Sequence, residues 1–167
     1  GVIAEVHGIA TARVRPRAAG AETFVTFTAA EGATVKAVVA RLIPSDECGP
    51  GALEARADRY IDRALSGALK ASRPAYSTGL AAIDTAAQAL RGSVFAKLSA
   101  ADQDMVLSRI EASSPQFFNL VRTHTIQGTF SDPFYGGNSN FIGWDLIGYP
   151  GARTTVAANL QRMDRKP

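Results

Sequence analysis

The sequence predicts an all-α fold, a compact bundle of about five helices followed by a long loop rich in glycine and aromatic residues. Apolar residues recur at spacings of three and four in five segments, which is the pattern of a helix with one buried face. Short stretches rich in Gly, Pro or Ser separate these segments, as between helices that pack as neighbours. The length of 167 residues is sufficient for one domain with a proper core.

The first two predicted helices follow a short N-terminal lead. The first begins after Thr28, whose spacing to Glu31 is that of a capping box, and Pro44 ends it. The second extends over about 52–66 and ends at Gly67. We expect a buried face on each helix, with Val35, Val38, Val39 and Leu42 on the first and Leu53, Ala57, Ile61, Ala64 and Leu65 on the second. The solvated face of the second would carry Glu54, Asp58, Arg59, Asp62 and Arg63.

Three more helices complete the predicted bundle. Thr78 is predicted to cap the third, which ends at Gly92. Ser99, with a carboxylate three residues later, predicts the start of the fourth. Pro115 suits the first turn of the fifth, which we expect to end at Gly128. The predicted inward residues are Leu80, Ile83, Ala87 and Leu90 of the third helix, Met105, Val106 and Ile110 of the fourth, and Phe118, Val121 and Thr125 of the fifth.

The charge distribution divides the chain into an extended N-terminal arm (1–22), a helical domain (23–152) and a basic tail (153–167) that includes a short predicted helix at 154–163. The formal charge is +3, but residues 23–152 hold 11 Lys and Arg against 12 Asp and Glu. Because a nucleic-acid-binding fold needs clustered Lys and Arg, we expect no nucleic-acid partner. No apolar run reaches the roughly 18 residues of a membrane span, so we expect none in this chain.

The segment 129–151, which we call the aromatic loop, contains the only tryptophan. Its six aromatic residues are Phe130, Phe134, Tyr135, Phe141, Trp144 and Tyr149. A long loop without secondary structure is usually functional or disordered, and disordered segments are poor in aromatic residues. We therefore expect an ordered loop. Two interpretations stay open: the loop only closes the core of its own domain, or it forms a docking surface.

Motifs for catalysis and cofactor binding are absent from the sequence. There is no dinucleotide fingerprint, no P-loop, no C-x-x-C-H haem motif and no Cys/His spacing typical of a metal site. His124 and Asp132 could serve a hydrolase as acid and base, but such a histidine is more often structural, which makes this the weakest hypothesis. Cys48 cannot form an intrachain disulfide because it is the only cysteine, and the neighbouring acidic residues disfavour a reactive thiolate.

Oxygen-bearing side chains in the aromatic loop allow two further interpretations. Asp132, Asn138, Asn140 and Asp145 could hold calcium, but their spacing fits no EF-hand. An Asp before a Pro more commonly accepts backbone hydrogen bonds in a turn. Aromatic rings beside Asn and Asp could also stack on a sugar. A carbohydrate-binding module that uses Trp144 and Tyr149 for stacking is therefore the alternative function.

Several short motifs, taken together and in order, resemble the gluconate 2-dehydrogenase subunit 3 family over roughly residues 24–151. They are R-L-I-P-S-D at 41–46, G-P-G-A at 49–52, Y-I-D at 60–62, D-P-F-Y-G-G-N at 132–138, G-W at 143–144 and G-Y-P-G at 148–151. The D-P-x-Y-G-G-N run followed by G-W and G-Y-P-G is the most specific part.

The resemblance implies an accessory, non-catalytic subunit without its own cofactor or metal. In such bacterial complexes the large subunit is a flavoprotein of the glucose–methanol–choline (GMC) oxidoreductase type, which carries FAD and the catalytic residues. A c-type cytochrome commonly takes the electrons, which implies haem c in a third subunit. The substrates include gluconate, other sugar acids and glycosides. Small subunits of this kind often carry a twin-arginine (Tat) signal that exports the folded partner to the periplasm. No such signal is visible here, so export and a periplasmic location are expectations from the family.

We expect the aromatic loop to dock on the flavoprotein, because buried aromatic residues ringed by polar groups are the usual anchors of tight interfaces. The predicted interface residues are Asp132, Pro133, Phe134, Tyr135, Gly136, Gly137, Asn138, Trp144 and Tyr149. A subunit that binds only the folded partner would stabilise it by mass action, without any chemistry of its own.

Overall fold

Six α-helices and four 3-10 helices make up the structure, a computed structural model that describes residues 23–149. The α-helices are α1 (Ala29–Leu42), α2 (Ala57–Leu65), α3 (Arg73–Arg91), α4 (Ala100–Ser113), α5 (Pro115–Phe130) and α6 (Ile142–Leu146). The 3-10 helices are Lys70–Ser72, Phe95–Lys97, Pro133–Tyr135 and Ser139–Phe141. Within this part of the chain the only β feature is an isolated bridge between Asp46 and Gly49. The predicted all-α class is therefore confirmed.

Some predictions fall on residues that the structure does not describe. The N-terminal arm, the basic tail and the predicted helix at 154–163 lie outside the described residues. Among residues 23–149, no helix combines the length and the apolar character that crossing a bilayer requires.

Helix α5 contacts every other α-helix of the described chain. The buried core includes Val35, Val38 and Val39 of α1, Ile61 and Leu65 of α2, Tyr76, Leu80 and Ile83 of α3, Val106 and Ile110 of α4, and Phe118 and Val121 of α5. Helices α5 and α2 pack closely at Gly128, where an added Cβ would lie 2.8 Å from the Cα of Ala57. This packing brings the C-terminal end of α5, and the loop that follows it, against the start of α2.

The predicted helix ends agree with the structure where side-chain chemistry sets them. Thr28 and Glu31 form the capping box at the start of α1, with Glu31 N donating to Thr28 Oγ1 and Thr28 N donating to Glu31 Oε2. Ser99 caps α4 by accepting from the backbone N–H of Asp102. Gly92 ends α3 in the left-handed conformation, with φ 64°. These caps satisfy backbone groups that a helix end leaves without partners.

Other predicted boundaries and faces were wrong. Helix α2 begins at Ala57 rather than near residue 52, because Arg56 takes a left-handed conformation (φ 63°) that interrupts the helix. Helix α3 begins at Arg73, so Thr78 lies inside it and is not its cap. Leu53 and Met105 were expected in the core but are exposed at 37% and 43%.

The predicted solvated face of α2 contains two buried carboxylates. Asp62 is 2% exposed and accepts hydrogen bonds from the backbone N–H groups of Val25, Thr26 and Phe27 at 2.6, 2.8 and 2.9 Å. Asp58 is equally buried, and this desolvation raises its pKa although the charge of Arg59 opposes the shift. The two carboxylates of α2 therefore lie in the interior of the domain. Asp62 holds the segment that leads into α1 against α2.

Candidate docking surface

The aromatic loop is built from short helical turns after α5. Phe130 is the last residue of α5. The 3-10 helix Pro133–Tyr135 follows, and Asp132 caps its start with a carboxylate that accepts a hydrogen bond from Phe134 N at 2.9 Å. The expected role of Asp132 as a turn residue is confirmed. The second 3-10 helix and α6 complete the described part of the loop. The loop that we expected to be ordered thus contains short helical segments.

Asn138 fixes the centre of this loop. Its side-chain Nδ2 donates to Ser131 O at 2.9 Å, and its Oδ1 accepts from Gly143 N at 2.8 Å. Its backbone N–H donates to Gly128 O at 2.7 Å, and its carbonyl accepts from Phe141 N at 3.0 Å. The residue is fully buried and takes a left-handed conformation with φ 43°, which Asn tolerates better than most residues. Asn138 thus ties the two halves of the loop to the end of α5.

Two glycines allow the loop to pack directly on the backbone of α5. A Cβ on Gly137 would overlap the carbonyl oxygen of Gly128, and a Cβ on Gly143 would overlap that of Thr129. Two longer-range hydrogen bonds add to this packing, from Ser139 N to Ala55 O at 3.0 Å and from Trp144 Nε1 to Phe130 O at 2.8 Å. Residues 129–149 are therefore packed as a fixed part of the domain.

Although its backbone is fixed, the loop exposes large aromatic side chains. Phe134 is 88% exposed, Tyr135 63%, Phe141 53% and Tyr149 46%. Phe134 and Tyr135 form an edge-to-face pair with ring centroids 5.5 Å apart. Phe141 and Tyr149 both contact the half-buried Trp144, at 5.4 and 5.0 Å between centroids. We call these five rings the ring cluster.

The nine predicted interface residues differ in their solvent exposure. Asp132, Phe134, Tyr135 and Tyr149 are exposed, Pro133, Gly136 and Trp144 are half-buried, and Gly137 and Asn138 are buried. In this conformation, Gly137 and Asn138 support the surface from inside and cannot contact a partner. Phe141 and the exposed Ile147 belong to the surface but were not predicted. Phe141 could have been included on its aromatic character alone, whereas nothing in the sequence distinguishes Ile147 from a core residue.

The two rings expected to stack on a sugar do not form one flat platform. Trp144 and Tyr149 meet edge to face at an interplanar angle of 86°. The indole N–H of Trp144 is already used on the Phe130 carbonyl. A sugar could therefore stack on one ring of this pair but not on both together.

The structure does not bring His124 and Asp132 together as a catalytic pair. His124 is 5% exposed, and its Nδ1 lies 3.0 Å from the hydroxyl of the buried Tyr76. Burial raises the pKa of Tyr76, so its hydroxyl keeps the proton and can donate it to Nδ1. Burial also lowers the pKa of His124, which favours the neutral imidazole as acceptor. Both effects identify His124 as a core hydrogen-bonding residue.

The side chains that could bind a metal are dispersed. No group of three His, Cys, Asp or Glu residues converges anywhere in residues 23–149. Within the loop, both side-chain polar atoms of Asn138 bond the chain itself. The carboxylate of Asp132 accepts from Phe134 N.

Basic and phenolic side chains of α2 border the ring cluster. The guanidinium of Arg63 lies against Gly136, where an added Cβ would be 2.8 Å from Nη1. The Tyr60 hydroxyl contacts Gln127 Oε1 at 3.4 Å. Burial raises the pKa of Tyr60, and the nearby Tyr135 adds to that shift. Helix α2 therefore adjoins the end of the ring cluster that carries Phe134 and Tyr135.

Comparison with known protein families decides the membership of this chain. The model of the family described as "Gluconate 2-dehydrogenase subunit 3" matches residues 29–151. The chain belongs to the gluconate 2-dehydrogenase subunit 3 family. The match extends from the start of α1 through the ring cluster, so the candidate docking surface lies within the matched residues. No curated protein and no solved structure matched the chain.

Membership in the gluconate 2-dehydrogenase subunit 3 family implies a place in a multi-subunit gluconate dehydrogenase complex. The family description numbers the chain as a subunit, which is consistent with an accessory role. The resemblance inferred from the D-P-F-Y-G-G-N, G-W and G-Y-P-G motifs is confirmed.

Proposed function

We propose that this chain is the non-catalytic small subunit that docks on, and stabilises, the FAD-containing GMC-type catalytic subunit of a bacterial sugar, glycoside or sugar-acid dehydrogenase. Family membership supports the accessory role. The observation that carries the docking role is the ring cluster, which exposes Phe134, Tyr135, Phe141 and Tyr149 together on one fixed loop.

The exposure of these rings is costly for a chain that stays alone in water. Complete burial of a Phe side chain contributes about 1.5–3 kcal/mol, and Phe134 has 88% of its surface still to bury. Contiguous apolar patches on soluble proteins typically mark interaction sites, and aromatic anchors dominate the energetics of protein interfaces. The ring cluster therefore supports a protein partner that covers it.

The cellular setting of the complex is also part of the proposal. We place the complex in the periplasm, with haem c in a third subunit that accepts electrons from the FAD. Export of the partner by the Tat route would require a folded flavoprotein. A small subunit that binds only the folded form shifts the equilibrium towards it by mass action, about 2.7 kcal/mol at a concentration 100 times its Kd.

The test is a binding titration with a purified GMC-type flavoprotein subunit from the same organism. We expect the wild-type chain to bind, to raise the Tm of the flavoprotein, and to show neither flavin absorbance nor turnover when alone. The double variant Phe134→Ala/Tyr135→Ala should bind roughly 30-fold or more weakly, because it removes two anchors worth about 2 kcal/mol or more. The matched control is Val94→Ala/Met105→Ala, which truncates two exposed apolar residues outside the aromatic loop.

Three results would contradict the proposal. They are equal affinity of the ring variant and the control variant, turnover of a sugar acid by the isolated chain, and failure of the wild-type chain to bind the flavoprotein. Titrating glucose and gluconate against the fluorescence of Trp144 covers the alternative, carbohydrate binding. We expect no response, and a saturable change would favour the carbohydrate-binding function instead.

A further inference from the structure

A surface depression of about 250 Å³ lies between α2 and the segment that precedes α1. Its lining residues are Thr23, Val25, Arg59, Asp62 and Arg63. Val25 is 71% exposed and gives one side of the depression an apolar character. Two arginines one helical turn apart on α2 supply its positive charge.

The single carboxylate in this depression is already bonded. Asp62 accepts three backbone hydrogen bonds from the Val25–Phe27 segment and is 2% exposed. Arg59 is partly engaged, because its Nε lies 3.5 Å from Asp58 Oδ2 and its guanidinium stacks 4.0 Å above the centroid of Phe24. None of the ion pairs observed in residues 23–149 involves Arg63, which is exposed. Within this part of the chain, Arg63 thus presents an exposed guanidinium without a salt-bridge partner at this surface.

Arg63 also connects the depression with the ring cluster. Its guanidinium lies along the backbone of Gly136, directly after the exposed pair Phe134 and Tyr135. Gly136 has φ 92° and no side chain, so the guanidinium can lie close to the loop. Aromatic rings and a cation are therefore side by side where α2 adjoins the ring cluster.

We propose that the partner surface is acidic where it meets α2, and that Arg63 pairs with an Asp or Glu of the flavoprotein while Phe134 and Tyr135 enter an adjacent apolar pocket. This inference rests on the proposed function and adds the charge of the partner. The planar guanidinium of Arg matches a carboxylate with two parallel hydrogen bonds, which fixes orientation as well as affinity. Because complementary charge steers association, the pair would also make binding sensitive to salt.

An anionic lipid surface fits this arrangement less well. Membrane-binding segments cluster about 4–8 Lys and Arg, whereas the depression has two arginines, one of them partly paired. Asp132 and Asp145 are exposed in the same aromatic loop and would be repelled by anionic headgroups. A protein partner can position its carboxylates at Arg63 and away from these two residues.

The test compares Arg63→Glu with Arg109→Glu, an exposed arginine on α4 that also takes no part in the observed ion pairs. Affinity for the purified flavoprotein is measured at about 50 mM and about 500 mM salt. We expect Arg63→Glu to weaken binding roughly tenfold or more at the lower salt and to flatten the salt dependence. Arg63→Lys keeps the charge but loses the paired donors, so its affinity should be intermediate. The control variant Arg109→Glu should bind like the wild type.

The outcomes separate this inference from the proposed function. If the wild-type chain fails to bind the flavoprotein, the proposed function fails. If it binds but Arg63→Glu and Arg109→Glu have equal affinities and salt dependences, only the charge inference is overturned. Binding to phosphatidylglycerol vesicles that Arg63→Glu abolishes, with no effect of that variant on flavoprotein affinity, would overturn it in favour of a lipid surface. Far-UV circular dichroism and thermal melts check that each variant folds, and Arg63→Ala replaces Arg63→Glu if the latter does not.

Discussion

Replacing Asn138 by alanine should release the aromatic loop from the end of α5. The variant loses two hydrogen bonds of the buried side chain, one to Ser131 O and one from Gly143 N. Gly143 N is buried and Ser131 O is partly buried, so neither group regains water while the loop stays closed. Leaving a buried polar group without a partner costs about 1–3 kcal/mol. Ser131 O is the less buried of the two groups, so its loss should cost about 1 kcal/mol, at the low end of this range. Together, the two unpaired groups should cost about 2–4 kcal/mol.

The chain contains a matched control for this substitution. Asn140 has the same side chain and a similar left-handed backbone, with φ 56° against 43° for Asn138. Its side chain is exposed and makes none of the hydrogen bonds observed in the described residues. Both Asn138→Ala and Asn140→Ala therefore place an alanine in the left-handed region, which costs about 1–2 kcal/mol of backbone strain in each variant. The difference between the two variants isolates the buried hydrogen bonds.

The assay is amide hydrogen exchange, followed by mass spectrometry on a peptide that covers residues 139–147. A difference of 2–4 kcal/mol corresponds to roughly 30- to 700-fold faster exchange in Asn138→Ala than in Asn140→Ala. The fluorescence of Trp144 should change as well, because its indole N–H bonds to Phe130 O only while the loop is closed. Equal exchange rates in the two variants would refute the assignment of Asn138 as the residue that fixes the loop.

Two further predictions concern the helical body. Gly128→Ala should lower the free energy of unfolding by about 1–3 kcal/mol in a urea titration, because its Cβ would lie 2.8 Å from the Cα of Ala57. The control is Gly67→Ala, whose new Cβ would have no atom within 4 Å. We expect this variant to be neutral or slightly stabilising. Unchanged urea midpoints for Gly128→Ala would contradict the close packing of α2 on α5. Stability should also decrease as the pH falls below about 6.5, because burial lowers the pKa of His124 and the unfolded chain takes up a proton more readily. His124→Gln should abolish this component between about pH 7.5 and 5.5, and an unchanged pH dependence in that variant would count against it.

The features that could be predicted from the sequence are those that local chemistry determines. The core positions of α1, α3 and α5 follow the helical spacing of apolar residues, and Val35, Ile83 and Val121 are all buried. The cap at Thr28 could be read from hydrogen-bonding side chains that act within one turn. The composition of the aromatic loop located the rings as a segment, but it could not tell the exposed rings from the half-buried Trp144.

The features that could not be predicted depend on tertiary contacts. The burial of Asp62 requires the Val25–Phe27 segment, 35–37 residues away in sequence, to fold back on α2. The left-handed conformations of Arg56 and Phe141 have no sequence signal, since neither residue type favours positive φ. Asn138 was assigned to the interface together with the rest of the D-P-F-Y-G-G-N run. Its role in fixing the loop becomes clear only when Ser131 and Gly143 are seen on either side of it.

The rings of the loop stay exposed because hydrogen bonds hold the loop backbone in place. A flexible loop would fold Phe134 and Tyr135 back onto the apolar surface of its own domain. Here the hydrogen bonds of Asn138 and the bond from Ser139 N to Ala55 O hold the backbone in place, so the rings remain outward. Fixing the backbone of one residue costs about 1–2 kcal/mol of conformational entropy. In this loop the cost is met when the domain folds, before any partner binds. A partner that covers the rings therefore does not have to order the loop as well, which favours tight association over a surface of modest area.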